Sequence, residues 1–200
     1  PREVLSTAMR VHQKYFSILD KKNNLVSKFL FVANSLKEKD RDSRVIEGNE
    51  RVLKARLSDA SYFFENDILN TFENWNEKLK HVSFYESLGS LHDKIIRMTN
   101  ISKIFAKEFG VKSELAKRAA ILSKADLVSE MVMEFPELQG IMGGHYAKIK
   151  NEHEEVTKAI FEHYKPKGVS DDLPETKLGS LLSMVDNIDT LVGFFSIDKK

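Results

Sequence analysis

From Val45 onward, apolar residues recur at spacings of three and four almost to the end of the chain, and this periodicity restricts the fold more than any other feature. In "VIEGNERVLKARLSDASYFFENDI" the stripe is Val45, Val52, Leu53, Leu57, Ala60, Phe64 and Ile68, and "ILNTFENWNEKLKHVSF" extends it through Leu69, Phe72, Trp75, Leu79 and Val82. "LGSLHDKIIRMTNISKIFAKEFG" supplies Leu91, Ile95, Met98, Ile101 and Phe105 and stops at Gly110, a residue suited to a helix C-terminus. "SELAKRAAILSKADLVSEMVMEF" opens on Ser113 as a candidate N-cap and ends before Pro136. A glycine-rich turn, "QGIMGGHYA", separates it from a helix in "NEHEEVTKAIFEHY". A loop, "KPKGVSDDLPET", precedes the last helix, "KLGSLLSMVDNIDTLVGFF". Helices in series bury their stripes against one another, and each buried Leu or Phe contributes roughly 1.5–3 kcal/mol. The expected fold is mainly α.

The first 44 residues read differently. Val4, Leu5, Ala8, Val11 and Tyr15 have helical spacing. Apolar positions then flank "DKKNN", where Asn23-Asn24 tolerates a positive φ, so a β-hairpin is expected. "SLKEKDRDS" is polar and of mixed charge and reads as a loop. The expected division is 1–44, a helix plus hairpin ending an adjoining domain, and 45–200, a helical domain.

Composition excludes several classes. The chain has no cysteine, so disulfides, thiolate metal sites and cysteine nucleophiles are ruled out. It has 42% hydrophobic and 30% charged residues, which is the balance of a soluble folded protein. No long uncharged apolar run or N-terminal signal core is present, and a cytoplasmic location is expected. The first residue is proline, and the chain is expected to be a fragment of a longer one. The net charge of +1 conceals an asymmetry: residues 1–44 carry ten Lys/Arg against five acids, and residues 45–200 carry 21 against 25. A phosphate-bearing partner is favoured by the first stretch.

The six histidines are His12, His81, His92, His145, His153 and His163, and none forms a His-Glu-x-x-His pair. "GIMGGHYA" lacks the strand before it and the Lys-Ser/Thr after it that a phosphate loop needs. No serine nucleophile elbow occurs. Asp186 and Asp189 lie beside an apolar stripe on the last helix, where a carboxylate is costly unless paired. They are either metal ligands or hydrogen-bond partners of a basic residue or a helix N-terminus.

The segment from Leu91 to Gly193 resembles the HD phosphohydrolase superfamily in layout. "LHDKIIRMTNISKIFAKEFGV" is similar to its first helix, with His92 at the first ligand position; "RAAILSKADL" resembles the helix that ends in the His-Asp doublet. At the doublet position this chain has Ser123-Lys124. "AIFEHYKPKG" places His163 at the later histidine, and "LLSMVDNIDTL" places Asp186 at the lone aspartate. The written doublet His92-Asp93 thus falls on the wrong helix, and a protonated lysine at the true one cannot ligate a cation. The resemblance implies an HD-like scaffold with no metal centre; a three-residue shift of register puts Asp126 near the doublet slot instead.

A second resemblance spans all 200 residues. "PREVLSTAMRVHQKYF", "GNERVLKARLSDASYFF", "LGSLHDK", "LSKADLVSEMVMEFPELQGIMGGHYA" and "VDNIDTLVGFFSI" are similar to the beta subunits of bacterial glycyl-tRNA synthetases. This resemblance implies a role in charging tRNA(Gly) with glycine within a heterotetramer. A separate alpha subunit would use ATP with Mg, and this segment would hold neither catalytic residue nor cofactor. Its expected partners are tRNA(Gly) and the alpha subunit, with no membrane. Candidate phosphate contacts are Arg10, Lys14, Lys21, Lys22 and Lys28, followed by Arg51, Lys54 and Arg56. His12 and Tyr15 could stack on an unpaired base, or Tyr15 could pack under the hairpin. Two other classes stay open: an HD-type metal-dependent phosphohydrolase using His92, His163 and Asp126 or Asp186, and a protein-interaction module without RNA contact.

Overall fold

The computed structural model describes residues 1–33 and 39–198, apart from the side chains of His12 and of residues 39–42. The chain is mainly helical and divides into two compact units, Pro1–Asp67 and Ile68 onward.

In the first unit, helix α1 (Arg2–Thr7) runs into one turn of π-helix over Ala8–His12. Strands β1 (Phe16–Leu19) and β2 (Leu25–Leu30) form the antiparallel hairpin, pairing Phe16 with Leu30 and Leu19 with Leu25. The turn is closed by Asp20, whose carboxylate accepts from the backbone N–H of Lys22 and of Asn24, both at 2.8 Å, while Asn23 takes φ +64°. The long helix α2 (Lys39–Leu69) follows. It starts inside the stretch expected to be a loop, because Lys, Arg and Glu are good helix formers whatever their polarity. Residues 35–38 of that expectation lie outside the described residues. Met9, Tyr15 and Leu53 are buried, with Phe29, Phe31 and Leu57 packed against them. Tyr15 therefore lies under the hairpin, 4.9 Å from the Phe29 ring, and its hydroxyl bonds Asn49 at 2.5 Å.

In the second unit, the chain breaks after α2 at Thr71, whose side chain accepts from Asn74 N–H and starts α3 (Phe72–Lys78). A second hairpin, β3 (Ser83–Tyr85) and β4 (Gly89–Ser90), occupies residues read as helix and linker. Helices α4 (Leu91–Phe105) and α5 (Ser113–Leu122) pack together. The expected helix over 113–135 is interrupted after Leu122 by a 3-10 turn at Ala125–Val128 and resumes as α6 (Glu130–Glu134), capped by Ser129. Helices α7 (Ile141–Ile149), α8 (Glu154–Glu162) and α9 (Lys177–Ser196) complete the unit, with α9 packed on α4, α5 and α8. "IMGGHYA" is thus a helix, in place of the glycine-rich turn its composition suggests. Its glycines serve close packing: a Cβ at Gly143 would lie 3.0 Å from Ile160, and one at Gly144 would overlap the Phe161 ring. Trp75, Leu79, Phe135, Tyr146 and Leu181 are fully buried, and the Trp75 and Tyr146 rings lie 5.0 Å apart.

Helix α9 is long and apolar enough in composition to cross a bilayer. Leu178, Leu181, Leu182 and Val185 are nevertheless buried within the protein, as in a core helix.

Candidate functional site

The chemistry of the helical unit gathers where α9 meets α4 and the end of α5. The stripe that buries Leu181, Leu182 and Val185 carries Asp186 and Asp189 into the same interface. Each is met by cations. Lys94 Nζ lies 2.9 Å from Asp186 Oδ1 and 3.1 Å from Asp189 Oδ2, and donates to Thr190 Oγ1 at 2.8 Å. Lys124 Nζ lies 2.5 Å from Asp186 Oδ2 and sits 3.9 Å above the Tyr164 ring. Arg97 grips Asp189 through Nε at 2.6 Å and Nη2 at 3.1 Å. Both oxygens of each aspartate are therefore occupied by ammonium or guanidinium groups. Burial acts to raise the Asp186 pKa, but Lys124, Lys94 and His163 outweigh it and pull the carboxyl down to about 2. For Lys124, burial is the larger influence and lowers its pKa, while Asp186 pulls the other way.

Two further buried groups adjoin this cluster. His163 Nδ1 lies 2.7 Å from the Ile160 carbonyl. A carbonyl can only accept, so Nδ1 carries the proton and Nε2 is the bare acceptor; Nε2 has no protein partner. Burial, with Lys124 beside it, drives His163 down to about 3, so the ring is neutral at physiological pH. Asp126 is fully buried, and its Oδ2 accepts from the N–H groups of Gly140 at 2.6 Å and Gly143 at 2.8 Å, capping the start of α7. Burial pushes it up to about 6 against those two bonds.

The candidate HD positions are distributed as follows. Lys124, His163 and Asp186 come together. Ser123 bonds back to the Ala120 carbonyl at 2.9 Å and only closes α5. His92 lies on another face of α4, lining a cleft with Asn76, Ile95 and Thr99. Lys94, two residues on, is the α4 group that reaches Asp186. Asp93 belongs to a capping box: Ser90 Oγ accepts from Asp93 N–H, and Asp93 Oδ2 accepts from Ser90 N–H at 2.8 Å. Among the described residues, no three His, Cys, Asp or Glu side chains converge as metal ligands do. With Asp186 held by two ammonium groups, the donor set does not fit a divalent ion. Motif reasoning passes over Lys94 and Arg97; the available signal is Lys94 standing at the core-facing spacing between Leu91 and Met98.

The basic residues of the first unit are mostly at the surface. Arg10, Lys14, Lys21, Lys22, Lys28, Arg51 and Lys54 are exposed, and none is in an ion pair among the described residues. Arg56 is half-buried and engaged with a neighbour. The side chain of His12 lies outside those described. Lys28 and Lys54 flank an apolar groove of about 500 Å³ floored by Met9, Leu25, Leu53 and Leu57. Lys21 and Lys22 are presented at the hairpin turn.

All 200 residues match the family model described as glycyl-tRNA synthetase beta subunit. Curated relatives agree along the whole chain. The glycine–tRNA ligase beta subunit of Marinobacter nauticus is 46% identical over 199 residues, which is 100% of this chain and 28% of the relative. That of Neisseria meningitidis serogroup B is 45% identical over 197 residues, covering 98% of this chain and 28% of the relative. That of a Sulfurihydrogenibium species is 46% identical over 198 residues, covering 98% and 29%. The chain thus spans less than a third of the length of these relatives. A match over every residue, at this identity, is more than a shared helical layout could give: the chain belongs to the glycyl-tRNA synthetase beta subunit family.

Proposed function

We propose that this chain is an RNA-handling segment of a glycine–tRNA ligase. It supports ATP-dependent charging of tRNA(Gly) by binding tRNA through its first unit and by joining the alpha subunit in a cytoplasmic heterotetramer. In this reading ATP and Mg are used at the alpha subunit, and this segment performs no bond-making step. The observation that carries it is the set of seven exposed cations on the first unit that have no ion-pair partner among the described residues, which suits phosphate contacts that fix register. A scaffold role for the helical unit is supported by the saturation of Asp186 and Asp189 with lysine and arginine. The test is tRNA binding with and without the alpha subunit across a salt series. Affinity that falls steeply with salt is expected; salt-independent binding, or none, sinks the proposal.

A second reading, docking of protein without RNA contact, draws on exposed apolar residues of α4 and α9, among them Ile104, Val192 and Phe195. It predicts co-purification with the alpha subunit and no retention of tRNA on a filter.

A further inference from the structure

The hairpin of the first unit is apolar on both faces. Side chains alternate along it. Tyr15, Phe29 and Phe31 turn inward and form one aromatic cluster, with ring centroids 4.9 to 6.0 Å apart. Their neighbours in sequence, Phe16, Leu30 and Val32, turn outward and are 59%, 60% and 86% exposed. Phe16 pairs with Leu30 across the strands, so the two side chains adjoin on that face. An antiparallel sheet with one face on the core ordinarily shows polar residues to water on the other. Here the outward face presents a phenylalanine ring and two aliphatic side chains, a combination that marks a contact surface. Its surroundings are basic. Between Val4 and Ala33 the charged residues are Arg10, Lys14, Lys21, Lys22 and Lys28 against Asp20 alone, and the Asp20 carboxylate is engaged inside the turn by the backbone N–H groups of Lys22 and Asn24. Lys14 and Lys28 stand two residues before Phe16 and Leu30, both exposed and without an ion-pair partner among the described residues.

We infer that the outward face of this hairpin stacks an unpaired base of single-stranded RNA on Phe16. A nucleotide supplies in one unit what this face lacks: a flat ring to cover the phenyl group, and a phosphate for the lysines beside it. An apolar protein surface laid on the same residues would cover the rings but leave Lys14 and Lys28 at its edge without a counter-charge. Phe16, Leu30 and Val32 offer neither donor nor acceptor, so the face reads no base edge and tolerates any sequence. Strand alternation also decides which aromatic is available: of the adjacent pair Tyr15-Phe16, the first is committed to the core and the second faces solvent. The inference rests on the RNA-binding reading of the first unit and names the site within it.

The probes are tRNA(Gly) transcript, oligouridylate and oligoadenylate, tested on the intact protein. Phe16→Leu keeps the apolar bulk and removes the ring. It should weaken binding of each probe about tenfold, leave the salt dependence unchanged because no phosphate contact is lost, and keep the wild-type melting temperature because the side chain is mostly in water. Phe16→Trp should bind at least as tightly as wild type, and its emission should be quenched as RNA is added. The one native tryptophan, Trp75, is fully buried in the second unit and gives a constant background. Lys28→Ala should lower the slope of log affinity against log salt by about one. If the probes bind while Phe16→Leu retains wild-type affinity and the emission of Phe16→Trp is unquenched, the inference is overturned and the RNA-binding reading stands. Phe16→Leu melting lower than wild type with RNA affinity unchanged also overturns it, because the face is then packed against protein. If wild type binds no probe, the RNA-binding reading falls and the stacking site falls with it.

Discussion

At the residue scale, the pairings of Asp186 and the burial of Asp126 and His163 make separate predictions. Lys124→Ala leaves Asp186 facing Lys94 alone in a buried site, and should cost about 3–5 kcal/mol in urea unfolding. Lys124→Met combined with Asp186→Leu removes both charges and leaves Lys94 with Asp189, so the double variant should lose less than the two single losses added; additive losses would refute the coupling. The pH response follows from two opposed shifts. Folding raises Asp126 from 3.8 to about 6, so the folded state holds an extra proton in that window and this group favours the fold as pH falls. Folding lowers His163 from 6.5 to about 3, so the unfolded state holds the extra proton, and its contribution is lost as pH falls below 6.5. Between about 6 and 4 the two slopes nearly cancel, and stability should be flat. Asp126→Asn removes one of them, and chemical denaturation should then show stability falling by about 1.4 kcal/mol per pH unit on acidification through that range. An unchanged flat profile in the variant would show that the two groups do not balance. Asp186 and Asp189 are legible in the sequence as groups needing partners, since they stand beside an apolar stripe. Which cations meet them is not, because Lys94 and Lys124 lie 92 and 62 residues away from Asp186 and only the packing of α9 selects them.

At the element scale, sequence periodicity identifies helices and misses where they stop. The breaks at Thr71 and Ser129 are made by single side-chain caps, which leave the apolar spacing uninterrupted across them. The hairpin of Ser83–Tyr85 and Gly89–Ser90 is too short to show alternation. By contrast, "DKKNN" announces the first hairpin, because an Asp-led turn with a positive-φ asparagine is local chemistry. The doublet His92-Asp93 shows how a short motif can mislead. Taken as Ser90-x-x-Asp93, the same letters spell a capping box, a signal carried by the spacing of the two residues alone. The glycines of α7 give a test at this scale. Gly144→Ala drives a methyl into the Phe161 ring and should lower stability by about 1–3 kcal/mol. Gly48→Ala, in α2 with nothing near its added Cβ, should raise it by about 0.5–1 kcal/mol. Thermal unfolding of both separates close packing from helix propensity: if Gly144→Ala also stabilises, α7 and α8 are not held at the distance described.

At the scale of the whole molecule, charge and burial divide the labour that the sequence could only suggest. The net charge of +1 carries no message by itself, but its partition does, since the basic excess lies in the first 44 residues. Structure adds which of those cations are available. Lys94 and Lys124 of the second unit are buried and consumed by aspartates, whereas Lys14, Lys21, Lys22, Lys28 and Lys54 of the first are exposed and have no acidic partner among the described residues. A buried lysine neutralised by a carboxylate cannot attract a phosphate; an exposed unpaired one can, at little cost to stability when it is replaced. Two pairs of residues test this. Lys21→Ala with Lys22→Ala changes the hairpin turn, and Arg51→Ala with Lys54→Ala changes one face of α2. Each variant should keep its unfolding midpoint and reduce the slope of log affinity for tRNA against log salt by about two, one for each phosphate contact released. A pair that leaves the slope untouched does not face the RNA. If neither pair changes it, the first unit is not the surface that tRNA meets, and the exposed cations serve only to keep the chain in solution.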